Sequence, residues 1–405
     1  DLEKGTGVAT YARNLSYALR DLNFQVEVLY GNRSAPGQND LIKEIGLFDS
    51  NIGEMPWIVQ ALKFLRETVQ LPLGLEATHV PVTGTVILDT FKSRLPYFDE
   101  LYNSPDLFRK SHNHFRYFGK IHSVMLPSKP DVMHWTYPLP LHIKGVPNLY
   151  TLHDLVPLRL PYTTLDNKRR YLRLVQHIAK RSAHIVTVSE SAKADIMNIL
   201  KVPESRITNT YQMVSIPAKY KDKTPEVVAR EIEGTFGLEY KNYYLFWGSI
   251  EPKKNVGRLI EAYLSSGVKA PLVIVGAQAW KSENELRLIY DDNIRTLLQI
   301  DNETRVKKKI IQLEYAPFPL LVSLIKGAKC TLFPSLYEGF GLPVLESMLL
   351  ETPVITANTA SIPEVAGDAA IMVDPYDAKQ LCEAIRQVDA DAGLRQHLIE
   401  KGVVQ

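Results

Sequence analysis

Short apolar runs alternate along this chain with longer stretches in which apolar residues recur at helical spacing. In the C-terminal half the runs occupy residues 243–247, 272–275, 310–313, 330–333, 354–356 and 371–373, and the first two end at Gly248 and Gly276. Between them, residues 256–264, 283–298 and 319–328 carry the helical period. A wholly apolar run suits a strand buried on both faces, and amphipathic stretches suit helices that cover it. The pattern therefore predicts βαβ units around a parallel sheet.

The N-terminal half repeats the theme with more interruption. Residues 7–22 place Val8, Tyr11, Leu15 and Leu19 on one helical face. Residues 25–30 predict a strand, and 131–135, 149–153 and 184–189 predict later strands of the same sheet. Ser189 or Ser191 suits the cap of the helix that follows. Regularity fails between 203 and 240, where Pro217 and Pro225 stand among mixed charges. The expected organisation is an N-terminal domain over 1–216, a linker over 217–240 and a C-terminal domain over 241–405. Residues 35–130 read as an irregular insertion in the first domain. Within it, 57–75 has helical spacing, and 108–129 mixes Arg109, Lys110, Arg116, Lys120 and Lys129 with Phe108, Phe115, Tyr117 and Phe118. Such a stretch is either a solvated insertion packed on the domain or a patch for an anionic membrane surface.

Composition narrows the class. A chain of 405 residues is too long for one ordinary core and comfortable for two. With 45% hydrophobic and 23% charged residues it is globular, and a net charge of +2 argues against a nucleic-acid partner. Cys330 and Cys382 lie inside apolar stretches and make neither a metal spacing nor a disulfide framework, which points to a reducing cytoplasm. No apolar stretch is long enough to span a membrane, and no secretory leader is evident. The sequence opens on Asp1 and a glycine loop of the kind that ordinarily follows a strand, so the natural N-terminus is expected upstream. Asn14, Asn32 and Asn302 stand in glycosylation sequons, a pattern common by chance, and no modification is inferred.

The strongest candidate chemistry is Glu338-Gly-Phe-Gly-Leu-Pro-Val-Leu-Glu346, which follows the apolar run 330–333. Gly339 and Gly341 permit a tight turn and a close approach of backbone to a ligand. Pro343 suits the start of a helix. The N–H groups and partial positive charge of that helix end suit a diphosphate, while Glu338 and Glu346 can accept hydrogen bonds from sugar and ribose hydroxyls. The second candidate is Gly248-Ser-Ile-Glu-Pro-Lys-Lys-Asn255, at the carboxyl end of a strand, where open α/β sheets bind ligands. Lys253 and Lys254 could neutralise a diphosphate; taken alone, a solvated pair is the better reading, and the first motif tips the balance to function. Weaker candidates are Lys4-Gly-Thr-Gly-Val8 and His153-Asp154, the latter at a strand end. Asp389-Ala-Asp391 resembles a metal-binding acid pair but falls between late helical segments, and reads as surface.

Together these strings resemble the retaining glycosyltransferases of family four, whose GT-B architecture has two Rossmann-like domains with a cleft between them. The resemblance runs from Gly5-Thr-Gly-Val-Ala-Thr-Tyr-Ala-Arg-Asn-Leu15 to Pro363-Glu-Val-Ala-Gly367 and is densest over 243–375. It implies that Glu338 binds donor-sugar hydroxyls and Glu346 the ribose. It places the turn at Gly339 and the backbone of Phe340, Gly341 and Leu342 against the sugar and phosphates. It also implies that Lys253 and Lys254 grip the diphosphate, that His153 lies near the reacting carbon, and that Gly7 lines the cleft. Lys253 stands where the family usually has Arg, and Ser249 where some relatives have Arg, so phosphate neutralisation is thinner here.

The implied activity is metal-independent hexosyl transfer with retention, using His153, Lys254 and Glu338, from a nucleotide-sugar substrate and without a cofactor. Thr151-Leu-His-Asp-Leu-Val-Pro157 and Gly248-Ser-Ile-Glu-Pro-Lys-Lys-Asn255 resemble the mannosyltransferases of bacterial polysaccharide and lipopolysaccharide assembly. GDP-mannose is therefore the first expected donor, with UDP- or dTDP-sugars as alternatives. The expected acceptor is a glycan or lipid-linked glycan at the inner face of the cell membrane. A GT-B sugar-nucleotide epimerase and a non-catalytic sugar-nucleotide-binding subunit remain as other classes.

Overall fold

The structure, a computed structural model, describes residues 7–32, 39–48, 74–87, 95–280, 282–289, 296–300, 303–307 and 309–405. Lys4, Gly5, Thr6, Asn302 and residues 57–73 of the expected helical stretch lie outside the described residues. The chain divides into two compact units. One comprises Asp1–His153, Asn167–Thr187 and Asp195–Met213; the other comprises Asp154–Asp166, Val188–Ala194 and Val214–Gln405.

The C-terminal unit is built on a six-stranded parallel sheet. Its strands lie in the order Ile310–Leu313, Leu272–Val275, Tyr244–Trp247, Cys330–Phe333, Val354–Ala357, Ile371–Val373. Numbered along this unit, that is 3-2-1-4-5-6, the order of a doubly wound nucleotide-binding sheet. Tyr244 pairs with Leu272 on one side and Cys330 on the other, both in parallel, so the direction in which strands are added to the sheet reverses between the first and fourth strands. Tyr244, Leu245, Phe246, Leu272, Val273, Ile274, Cys330 and Leu332 are wholly buried, as a sheet covered on both faces requires. Helix Val256–Ser266 turns Leu259, Ile260 and Tyr263 inward, and helix Ala378–Ala390 turns Leu381, Ile385 and Val388 inward. The Asp377 side chain caps the latter by accepting from the N–H groups of Lys379 and Gln380.

Two expectations fail here. The stretch 283–298 is not one helix. A helix covers only Ser282–Leu286, and Thr296–Ile300 pairs antiparallel with Glu303–Lys307. Apolar spacing alone does not separate a short helix from a strand, and this hairpin was hidden for that reason. The window 217–240 holds helices Ala218–Lys221 and Pro225–Phe236. Pro225 opens the second of them, and Val228 and Ile232 are fully buried. That helix lies against Phe318–Gly327 so closely that a Cβ on Gly327 would come within 2.8 Å of the Ile232 side chain. The proline that suggested a loop marks a helix start.

Among the described residues the N-terminal unit holds three small sheets. Asn148–Thr151 is flanked in parallel by Met133–Trp135 and His184–Thr187, and Ile207–Asn209 extends the edge. Glu27–Tyr30 does not join that sheet; it pairs with Glu100–Asn103, which also meets Thr78–His79. The third sheet joins Leu75–Glu76, His122–Met125 and Leu141–Ile143. The expected insertion therefore contributes strands to the unit. It also contributes helix Leu107–Phe118, anchored by buried Leu107, Ser111, His114 and Phe115. Helix Gly7–Asp21 buries Tyr11 and Ser16. In the segment Val188–Ala194, which belongs to the other unit, Ser189 accepts from the Ala192 N–H at 3.0 Å and so caps helix Glu190–Leu200. Among the described residues no helix is long and apolar enough to cross a membrane.

Candidate functional site

The reversal point of the C-terminal sheet is where two loops meet. The loop after Tyr244–Trp247 begins at Gly248 and ends in the short 3₁₀ turn Pro252–Lys254. The loop after Cys330–Phe333 carries Glu338 and Gly339 into the helix Leu342–Leu349. Gly341 is the residue before that helix, with φ of 109°, and a Cβ there would come within 2.6 Å of Ile362 Cδ1. Both conformation and space demand glycine. Ser361, fully buried, donates to the carbonyls of Glu338 at 2.9 Å and Phe340 at 2.8 Å, which pins the turn from behind. Asn255, in the left-handed region at φ 60°, donates to the carbonyls of Pro334 and Pro375. The Leu336 N–H donates to the Lys253 carbonyl at 2.8 Å, so the two loops are stitched together through backbone.

Charge is concentrated on these loops. Lys254 Nζ lies 2.6 Å from Glu338 Oε1, and Lys253 Nζ lies 3.6 Å from Glu251 Oε1. Burial penalises the Glu338 carboxylate, but the ammoniums of Lys254 and Lys253 and hydrogen bonds from Lys254 and Ser335 hold its pKa below the ordinary value. Burial likewise penalises the Lys253 ammonium, yet the charges of Glu338, Asp154 and Glu251 hold its pKa above the ordinary value. Among the described residues Glu346 has no cation against it. Burial raises its pKa, opposed by the Trp247 Nε1–H, which donates to it at 3.3 Å. The result is Lys253 held as a cation, the Glu338 carboxylate held ionised and the Glu346 carboxylate held in an unfavourable state. They stand beside the N–H groups of a helix start.

A second cluster lies in the N-terminal unit. The His153 imidazole meets the Tyr11 ring edge to face at 4.8 Å, and His153 Nε2 lies 2.9 Å from the Thr136 carbonyl oxygen. Thr151 Oγ1 is shared between Tyr11 Oη at 3.1 Å and His134 Nε2 at 2.8 Å. Gly7 is the exposed first residue of the helix that carries Tyr11.

Residues 230–404 match the family Glycosyl transferases group 1, and residues 85–215 match Glycosyltransferase Family 4. Over residues 230–404 the chain is thus similar to the group 1 glycosyl transferases. The O-antigen chain mannosyltransferase B of Escherichia coli is 30% identical over 260 residues, 63% of this chain and 64% of that protein. The O-antigen chain mannosyltransferase RfbU of Salmonella typhimurium is 27% identical over 242 residues, 59% of this chain and 60% of that protein. The matched region thus spans less than two thirds of the length of these relatives. In fold the chain is similar to sucrose-phosphate synthase from Thermosynechococcus elongatus, with a TM-score of 0.61 at 15% identity over 98% of this chain and 88% of that one. The GT-B fold class expected from the sequence is supported by this likeness and by the doubly wound C-terminal sheet.

Within the matched region 230–404, Lys253, Lys254, Glu338, Gly339, Phe340, Gly341, Leu342 and Glu346 all come together on the two loops and the helix they lead into. Ser249 is exposed beside Gly248. His153 and Gly7 belong to the other unit. Three supporting residues escaped the sequence reading. Trp247 closes a strand and looked like core alone. Ser361 sits in a polar loop with no local signature. Glu251 lies inside the second motif, where no local pattern marks it as the partner of Lys253. Asp389 and Asp391 serve the fold: Asp389 accepts from Lys329 Nζ and Tyr244 Oη, each at 2.9 Å, and Asp391 caps the last helix.

Proposed function

We propose that this glycosyltransferase moves a hexose, with mannose from GDP-mannose as the first candidate, from a nucleotide-sugar to a glycan or lipid-linked glycan. Transfer retains the anomeric configuration and needs no metal. The observation that carries the reading is the Lys253, Lys254 and Glu338 constellation at the sheet's reversal point, beside a glycine turn that opens a helix. Mannose is favoured because the two O-antigen relatives are mannosyltransferases.

The donor's diphosphate takes the lysine ammoniums and the helix N–H groups; Glu338 then turns to sugar hydroxyls and Glu346 to the ribose. As the bond from the anomeric carbon to the diphosphate breaks, the phosphate gains charge that Lys253 and Lys254 already face. The acceptor oxygen bonds to the same carbon, and its proton passes to the departing phosphate oxygen. His153 is assigned to the neighbourhood of the reacting carbon by the family resemblance.

A lipid-linked acceptor at the membrane face is supported by helix Leu107–Phe118. It exposes Phe108, Tyr117 and Phe118 together with Arg109 and Arg116. The test of the function is turnover of a panel of nucleotide-sugars with and without glycan acceptors in the presence of EDTA, with product anomers assigned by NMR. An α-linked mannoside from GDP-mannose is expected. Acceptor-independent epimerisation, binding without turnover, or a strict metal requirement would each overturn the reading.

A further inference from the structure

Histidine reactivity depends on which ring nitrogen carries the proton, and the N-terminal unit fixes that choice for His153. Its Nε2 faces the Thr136 carbonyl oxygen at 2.9 Å. A carbonyl oxygen only accepts, so Nε2 bears hydrogen and Nδ1 holds the lone pair in the neutral ring. Rotation of the ring about its last torsion would exchange Nε2 for carbon and forfeit that bond. Such rotation is opposed by Tyr11, whose ring stands at 85° to the imidazole with 4.8 Å between centroids.

Tyr11 is itself held. It is 9% exposed, and its hydroxyl shares a hydrogen bond with the fully buried Thr151 hydroxyl, which also meets His134 Nε2. Burial and the neighbouring His153 push His134 down to about 4, so at neutral pH this chain of polar groups is uncharged. The three elements involved are distant in sequence: the helix that follows the glycine loop, the strand Met133–Trp135 and the strand Asn148–Thr151.

We propose that Tyr11 is a positioning residue for His153, its ring holding the imidazole in the single orientation in which Nε2 donates to Thr136 and Nδ1 is the accepting nitrogen. The consequence for transfer rests on the function proposed above; the orientation does not. Displacing a reacting-site group by about 1 Å can cost on the order of 100-fold in rate, so loss of the Tyr11 ring should act on turnover more than on donor affinity.

The experiment is long-range ¹H–¹⁵N correlation on the full chain labelled at histidine, without nucleotide-sugar, beside steady-state kinetics. In the parent protein His153 should show a protonated Nε2 and a lone-pair Nδ1. Tyr11→Phe keeps the ring and should keep both that pattern and most of kcat. Tyr11→Leu should average the two nitrogens and lower kcat roughly 10- to 100-fold while donor KM stays within about twofold. An averaged or Nδ1-protonated His153 in the parent would overturn the proposal whether or not any variant folds, and so would a Tyr11→Leu protein with the parent's spectrum and kcat. A fixed Nε2–H ring in a protein that turns over no nucleotide-sugar would remove the functional reading and uphold the positioning.

Discussion

Lys254 Nζ lies 2.6 Å from Glu338 Oε1, and this pair joins the loop after the first strand of the C-terminal sheet to the glycine turn after the fourth. Both side chains are mostly shielded, with 14% and 13% of their surfaces exposed. The pair therefore does two things. It holds the two loops in register, and on the proposed function it keeps an ammonium ready for a leaving phosphate.

Lys254→Ala should lower turnover by about 10²–10³ and raise donor KM much less, since the charge matters most as the phosphate departs. It should also destabilise the fold by up to about 3 kcal/mol, because the shielded Glu338 carboxylate loses its nearest cation and keeps only Lys253 and Ser335. Adding Glu338→Gln to Lys254→Met should restore part of that stability without restoring turnover. Steady-state kinetics and thermal unfolding of the single and double variants test both statements. Equal turnover in Lys254→Ala and the parent would remove Lys254 from the mechanism.

Glu346 makes the opposite prediction for stability. Its carboxyl is raised by burial, so the ionised form is a cost to the folded protein above its folded pKa, and that cost disappears as pH falls below the unfolded value. Glu346→Gln should raise Tm at pH 7, with the gain closing toward acid, while weakening donor binding roughly tenfold or more through the lost charged hydrogen bond. A lower Tm with unchanged donor affinity would contradict this assignment. The trade of stability for binding is what a functional carboxylate in a poor environment implies.

His134 sets part of the acid limit. Burial pushes it from 6.5 down to about 4, so the unfolded chain takes up a proton near 6.5 that the folded chain refuses until about 4. Stability is full above the first value and falls as pH drops through that window, by up to about 3 kcal/mol from this group. His114, also pushed down to about 4 by burial and by His122 and Lys120, adds to the same limb. Denaturant unfolding between pH 7 and 4 should give a shallower slope for His134→Gln than for the parent; parallel slopes would show that His134 is not protected.

The exposed face of helix Leu107–Phe118 should bind vesicles containing anionic lipid. Arg109 is also paired with Asp106, so Arg116 is the more informative site. Co-sedimentation should weaken with salt and with Arg116→Glu combined with Phe118→Ser, while turnover of a soluble acceptor stays at the parent level. No co-sedimentation of the parent at low salt would remove the membrane from the proposal.

The C-terminal sheet was legible because each of its strands is a short apolar run closed by a loop, and a buried parallel strand has little other way to look. The donor loops were legible for a related reason: Gly341 is demanded by geometry, and a lysine pair beside a strand end is unusual enough to question. The hairpin Thr296–Ile300 with Glu303–Lys307 was not legible, since Leu297 and Leu298 continue a helical spacing begun at Glu283. Helix Pro225–Phe236 was masked by its opening proline. The contacts that pin the site, Ser361 behind the glycine turn and Trp247 on Glu346, join residues 21 to 99 positions apart and leave no trace in local pattern. The Tyr11 and His153 contact is of the same kind. Tyr11 was seen as one of four apolar positions on a helix, and only the fold shows what its ring touches.

Calorimetric titration of GDP-mannose into the parent protein and into a Lys253→Ala/Lys254→Ala variant decides whether the reversal-point constellation holds a nucleotide-sugar. Saturable one-to-one binding by the parent, weakened about 100-fold or more in the variant, is the expected result. Indistinguishable binding by the two proteins, with the variant folded, would place the nucleotide-sugar elsewhere and end the assignment.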